Sequence, residues 1–208
     1  MYQLYWFENS GALAPQIVLE EIGVKYEKVS LDLDQDEQKQ LSFLTINPRA
    51  QVPALVLKDG CVITESAAIL LHLAEAHPGA NLLPPLGSQE RAQVYRWLFY
   101  AATNIWDCVS RVFYTESFTT DPSQHQQIRA AARQSMDQAW ALFEEELQEG
   151  PYLLGATYSV VDAYLLMITN WHENPQALYA SLPKLARLCD AVRARPAVKA
   201  IWAQHFPD

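Results

Sequence analysis

Gln51-Val52-Pro53-Ala54-Leu55, followed by Thr64-Glu65-Ser66-Ala67-Ala68-Ile69, is the stretch that decides the fold. A proline amide prefers trans by only about 0.5–1 kcal/mol, so a tight turn can hold Val52-Pro53 cis. A cis bond would turn the N–H and C=O of Val52 outward, where they could pair strand-fashion with an extended peptide. Ala54-Leu55-Val56-Leu57 and Cys61-Val62-Ile63 read as two short strands, because Lys58-Asp59-Gly60 between them contains the Asp-Gly hairpin signal. A helix starts near Thr64. Its free N–H groups form an anion site, with the Ser66 hydroxyl as a further donor and Glu65 available for a ligand ammonium. A lone Val-Pro would mean little, since only about 5–6% of X–Pro bonds in folded proteins are cis. The signal comes from Glu65 standing twelve residues after Pro53 with a hairpin filling the interval.

Upstream, Gln3-Leu4-Tyr5-Trp6-Phe7 and Tyr26-Glu27-Lys28-Val29-Ser30 have strand patterns. Leu13, Ile17, Val18 and Ile22 mark a helix between them, ended by Gly23 as a left-handed cap. Pro15 confines the start of that helix, because proline is tolerated only in the first turn, and Ser10 therefore lies before it or at its lip. A polar, glutamine-rich helix is expected over Asp36 to Phe43, stopped by Asn47-Pro48. Residues 65–76 form a further helix that closes this half against its sheet. Proline and glycine then concentrate between His77 and Ser88, and no strand pattern follows. Helices are expected at about 89–116, 124–149, 160–172, 183–194 and 197–204. Ser159-Val160-Val161-Asp162 is a capping box, and Pro196 opens the last helix. The division expected is 1–78 for an α/β domain, 79–87 for a linker and 88–208 for an all-α domain.

The chain has 208 residues, 50% hydrophobic, enough to bury one or two cores. A net charge of −9 offers no basic footprint for nucleic acid or an anionic membrane. No run approaches the roughly 18 apolar residues of a membrane span, and no signal-peptide pattern opens the sequence. Cys61, Cys108 and Cys189 are widely spaced and odd in number, which argues against a disulfide framework or a zinc site and fits a reducing compartment. His72, His77, His125, His172 and His205 make no metal-binding pair, so no metal is expected. The acidic run Glu144-Glu145-Glu146 reads as a solvated helix face.

This layout resembles the cytosolic glutathione transferases: Val52, Pro53, Glu65 and Ser66 match the family's cis-proline and Glu-Ser helix start, and the capping box and Arg195-Pro196-Ala197-Val198 extend the likeness over nearly the full chain. The resemblance implies a thioredoxin-like N-terminal domain joined to an all-α helical bundle. It also implies glutathione as co-substrate, conjugation of its thiolate to small hydrophobic electrophiles, a homodimer, and a cytoplasmic detoxification role without nucleic-acid or membrane partners. The tripeptide would be held by Gln51, Val52, Pro53, Glu65 and Ser66. The alternatives are a glutathione-dependent reductase or lyase for one dedicated metabolite, or a glutathione- or partner-binding scaffold without turnover.

Sulfur activation falls to the loop Phe7-Glu8-Asn9-Ser10-Gly11-Ala12. A thiol of pKa about 8.5 is about 3% ionised at pH 7, and lowering it by about two units gives roughly 75%. Because nucleophilicity falls with basicity, the net gain is only about threefold, so one donor is part of the catalyst and positioning is the rest. Ser10 is the expected donor and Asn9 the reserve, although a serine there also suits an ordinary cap. The loop is similar to the bacterial beta-class pattern through Leu13-Ala14-Pro15, but Gly11 stands at that class's cysteine position, which argues against a mixed-disulfide mechanism. Trp97-Leu98 matches the start of that class's long helix, whereas Trp106-Asp107 replaces its basic pair. Asn104, Trp106, Phe113 and Tyr114 are the expected lining of a rebuilt acceptor pocket, with core packing or a dimer contact as the competing role for the aromatics.

Overall fold

Apolar residues alternate along the first strand, which spans Tyr2–Trp6 (β1), one residue earlier than its pattern suggested. The computed structural model describes residues 1–207. β1 pairs in parallel with β2 (Tyr26–Ser30) and antiparallel with β3 (Ala54–Val56), and β3 pairs antiparallel with β4 (Val62–Thr64). The sheet order is therefore β2-β1-β3-β4. Tyr5 lies opposite Ala54, so the loop leaving β1 and the turn entering β3 are neighbours at one end of the sheet.

Helix α1 (Leu13–Ile22) has Pro15 in its first turn, where no helical acceptor is lost. Gly23 closes it at φ +74°, with its N–H reaching the carbonyls of Leu19 and Glu20. The expected helix over 36–43 is broken into a 3₁₀ turn at Glu37–Lys39 and a short α2 (Leu41–Leu44). Aspartate chemistry explains the break. The Asp32 carboxylate accepts from the N–H groups of Asp34 and Gln35, Glu37 reaches back to the Asp32 N–H, and Asp36 sits at φ +58°. Helix α3 (Ser66–Ala76) packs beside α1. Leu4, Ile17, Val18, Leu19, Leu55, Ile69 and Leu70 are fully buried there. Because strand residues alternate faces, Tyr5 and Ala54 join Leu31 and Phe43 in a second apolar cluster.

The chain divides into two compact units, Met1–Pro84 together with the stretch from Val192, and Pro85–Ala191. The second unit contains α4 (Gln89–Tyr100), a π turn at Ala101–Ile105, α5 (Trp106–Phe113), α6 (His125–Glu146), α7 (Val160–Thr169), α8 (Pro175–Ser181) and most of α9 (Pro183–Arg193). Every residue of α7 is buried. Its capping box is formed, and the Asp162 carboxylate also accepts from the Leu153 N–H at 2.7 Å. Helix α8 was not expected. Asn174 caps it by accepting from the Ala177 N–H at 3.0 Å, and Pro175 occupies a permitted first position. Glu144, read as part of a solvated acidic face, instead receives the Lys184 and Leu185 N–H groups at 2.8 and 2.9 Å and so caps α9.

Helix α10 (Pro196–His205) departs from the expected grouping of residues 88–208, because it packs on α1 of the first unit. Arg195 grips Glu21 with two nitrogens, one at 2.8 Å, and His205 Nε2 meets Gln16 Oε1 at 2.7 Å. Gln16 is fully buried, so its amide depends on that partner and on Gln204 at 3.0 Å.

Candidate active site

Three segments far apart in sequence meet at the end of the sheet where β1 leaves and β3 enters. They are the loop after β1, the turn before β3 and the start of α3. The Ser66 hydroxyl donates to the Gly11 carbonyl at 2.7 Å, tying the first loop to the third segment. Val52-Pro53 is cis. Pro53 is buried and Val52 half-buried, and among the described residues the N–H and C=O of Val52 carry no hydrogen bond. An extended backbone laid along Val52 finds one donor and one acceptor there.

The turn before Pro53 is held from beneath by Asn47, whose side chain is almost entirely buried. Its Nδ2 donates to the Gln51 carbonyl at 2.7 Å, and its Oδ1 accepts from the Arg49 N–H at 3.1 Å. Arg49 then reaches Glu65 at 2.9 Å. Both side chains are well exposed, so the pair adds at most about 1 kcal/mol to stability and acts chiefly by placing charge. Glu65 stands at the cap of α3 with φ +66° and makes no capping bond with its side chain. No acid lies in the first turn of α3, so its open N–H groups and dipole are free for an anion.

Five non-glycine residues among those described have positive φ, and Asn9, Ala50 and Glu65 all belong to these three segments. Each such conformation costs of order 1–3 kcal/mol, and such residues concentrate at functional sites. Ser10 is half-buried: its hydroxyl donates to the Phe7 carbonyl at 2.7 Å and accepts from the Ala12 N–H at 3.2 Å. Ala12, not Ser10, occupies the cap position of α1. Cys61 is exposed on the hairpin and Cys108 and Cys189 are buried in helices, so no thiol lies in this loop. Burial, and then Asp107, push the Cys108 thiol up.

The four residues expected to line an acceptor pocket are distributed unevenly. Asn104 lies in the π turn, exposed, donating to the Thr103 hydroxyl at 3.0 Å. Trp106 packs against Trp171 at 5.0 Å between ring centres. Phe113 ends α5 two turns beyond Trp106, and Tyr114 follows it, both about half exposed. Trp106 and Phe113 thus share a side of α5 that Asn104 does not join. Arg49 and Asn47 are the site residues that sequence reading passed over. Asn47 was legible only as part of a helix stop, and the Arg49–Glu65 pair spans sixteen residues without a periodic pattern. Among the described residues no group of His, Cys, Asp and Glu could hold a metal ion, and no helix is long and apolar enough to cross a membrane.

Comparison with known proteins places this geometry in context. Residues 2–75 match the family model described as glutathione S-transferase, N-terminal domain, and residues 106–205 match the glutathione S-transferase, C-terminal domain. The chain is 28% identical over 201 residues to glutathione S-transferase GstA of Escherichia coli O157:H7, covering 95% of each protein. It is 30% identical over 206 residues to glutathione S-transferase F14 of Arabidopsis thaliana, covering 91% of this chain and 76% of that one. Among solved structures, a glutathione transferase homologue from Sulfitobacter with bound glutathione superposes with a TM-score of 0.91 at 28% identity, covering 98% of each chain. A glutathione transferase from Methylococcus capsulatus superposes at 0.83 with 34% identity, covering 99% of this chain and 98% of that one.

Proposed function

Because the chain belongs to the glutathione S-transferase family, we propose that it conjugates the glutathione thiolate to small hydrophobic electrophiles, with Ser10 as the donor to sulfur. The observation that carries this reading is the meeting of the β1–α1 loop, Val52-Pro53 and the α3 start around one point, with the Ser66 hydroxyl bonded to Gly11. In this reading Val52 pairs with the cysteinyl backbone of glutathione, and Glu65 takes the γ-glutamyl ammonium. The N–H groups that open α3, that of Ser66 among them, take the adjacent carboxylate, while Gln51 assists along the backbone. Sulfur then lies toward the Ser10 loop, where a hydroxyl donor and the α1 dipole favour the thiolate. Asn104, Trp106, Phe113 and Tyr114 are the proposed acceptor-binding residues, with Asn9 as the reserve donor. A cytoplasmic homodimer completes the proposal. Its dimeric part is supported by the exposed Phe99 and Leu142 on helices α4 and α6.

A scaffold that binds glutathione without turnover is favoured by one detail, the Ser10 proton already donated to the Phe7 carbonyl. Glutathione titration with and without a chlorinated dinitrobenzene separates the two. Binding with turnover that Ser10→Ala lowers by about tenfold or more supports the transferase, on the scale of one lost charge-assisted donor. Binding without turnover on a broad electrophile panel supports the scaffold, and absence of binding removes both.

A further inference from the structure

Gly11 is where the sulfur loop touches the peptide-holding segment, and it does so with no atom to spare. A Cβ built on Gly11 would stand 2.9 Å from Pro53 Cδ, 3.0 Å from Ser66 Oγ and 3.2 Å from the Val52 carbonyl oxygen. The first and last of these are a ring carbon bonded to backbone and a backbone oxygen, neither of which can swing aside. The neighbours behind them are equally fixed, since Ala54, Leu55 and Ile69 are fully buried. The loop is the softer partner: Glu8 and Asn9 are exposed and Ser10 is half-buried. A side chain at position 11 therefore displaces the loop, and Ser10 with it, rather than the turn or the helix. The same contact explains how the Gly11 carbonyl comes near enough to receive the Ser66 hydroxyl at 2.7 Å.

We infer that Gly11 is a positioning residue: its bare Cα lets the β1–α1 loop lie against Val52, Pro53 and Ser66, and so sets where Ser10 stands relative to a peptide held there. The inference deepens the proposed glutathione site and rests on that reading for its catalytic consequence. Its geometric content does not depend on any ligand.

Gly11→Ala tests it with two readouts. On the ligand-free protein, amide hydrogen exchange at Ala12 and Leu13, whose N–H groups bond to Ser10, is expected to accelerate, with the β3 and β4 amides unchanged. With glutathione bound, titration of thiolate absorbance is expected to show the thiolate fraction at pH 7 reduced by about threefold or more. Turnover should fall with it, and glutathione affinity should stay within about threefold of the parent, by the same reasoning on which part moves. Unchanged loop exchange overturns the inference, and so does a loss of affinity with the bound-thiol pKa unaltered. If the exchange result holds but the parent protein binds no glutathione, the loop coupling stands and the ligand reading falls. Should Gly11→Ala not fold, Ser66→Ala removes the bond from the other side without added bulk, and faster exchange at Ala12 is again required.

Discussion

Glu65 and Ser66 sit side by side but do different work, and single substitutions separate them. Replacing either with alanine is expected to weaken glutathione binding by more than about tenfold, roughly 1.4 kcal/mol, by isothermal titration. Ser66→Ala should in addition disturb the β1–α1 loop, because the hydroxyl donates to Gly11 across 55 residues of sequence. Arg49→Ala leaves Glu65 without its counter-ion while removing an exposed pair of small energetic worth. Thermal stability should therefore move by less than about 1 kcal/mol while the salt dependence of binding changes. Val52-Pro53 and Glu65-Ser66 were legible because each is a local signal with a local mechanism. Arg49 was not, because an arginine after Asn47-Pro48 looks like any exposed cation until the fold brings Glu65 to it.

At the scale of elements, α10 is docked on α1 by groups that titrate. His205 is almost fully buried, its Nδ1 has no partner among the described residues, and its ring lies 5.2 Å from Trp6. Burial, and then nearby Lys28, lower its pKa from 6.5 to about 4. The unfolded chain therefore binds a proton through the pH 4–6.5 window that the folded chain refuses, so stability is full above about 6.5 and declines as pH falls toward 4. The loss approaches about 3 kcal/mol at most. His205→Gln keeps a donor for Gln16 and should flatten the difference in urea-unfolding free energy between pH 7 and pH 4.5. An equal slope in both proteins would show that other groups set it. In the second unit, Asp162→Ala removes the acceptor of the Leu153 and Ser159 N–H groups in the buried interior. It should cost about 3–5 kcal/mol by chemical denaturation. The capping box was legible from four consecutive residues, whereas the reach to Leu153 was not. Helix boundaries failed where side chains compete for backbone: Asp32 and Asp36 break the expected helix, and Asn174 starts one that periodicity does not announce.

On the scale of the whole molecule, the order of the sequence and the order of the fold differ. Pattern reading separates an α/β half from a helical half, and the sheet with its helices follows from it. It assigns α10 by position along the chain, whereas Gln16, Glu21 and His205 assign it by packing. No pattern within α10 names α1 as its partner, since an apolar stripe fits many surfaces. A chain truncated after Arg195 is expected to lose protection from proteolysis within residues 1–84 while the helices of Pro85–Ala191 keep theirs. A synthetic peptide of residues 192–207 should restore it in part. Equal cleavage rates with and without α10 would contradict the docking seen here.

The return of the chain to its first unit also has a temporal side. At translation rates of about 5–20 residues per second, roughly 6–24 s pass between completion of Pro84 and the arrival of α10. Throughout that interval the nascent unit presents Gln16 and Glu21 on α1 with their partners still unmade. The first segment off the ribosome is thus among the last to be finished, and holding that exposed surface away from other chains becomes a task for the cell before any substrate is met.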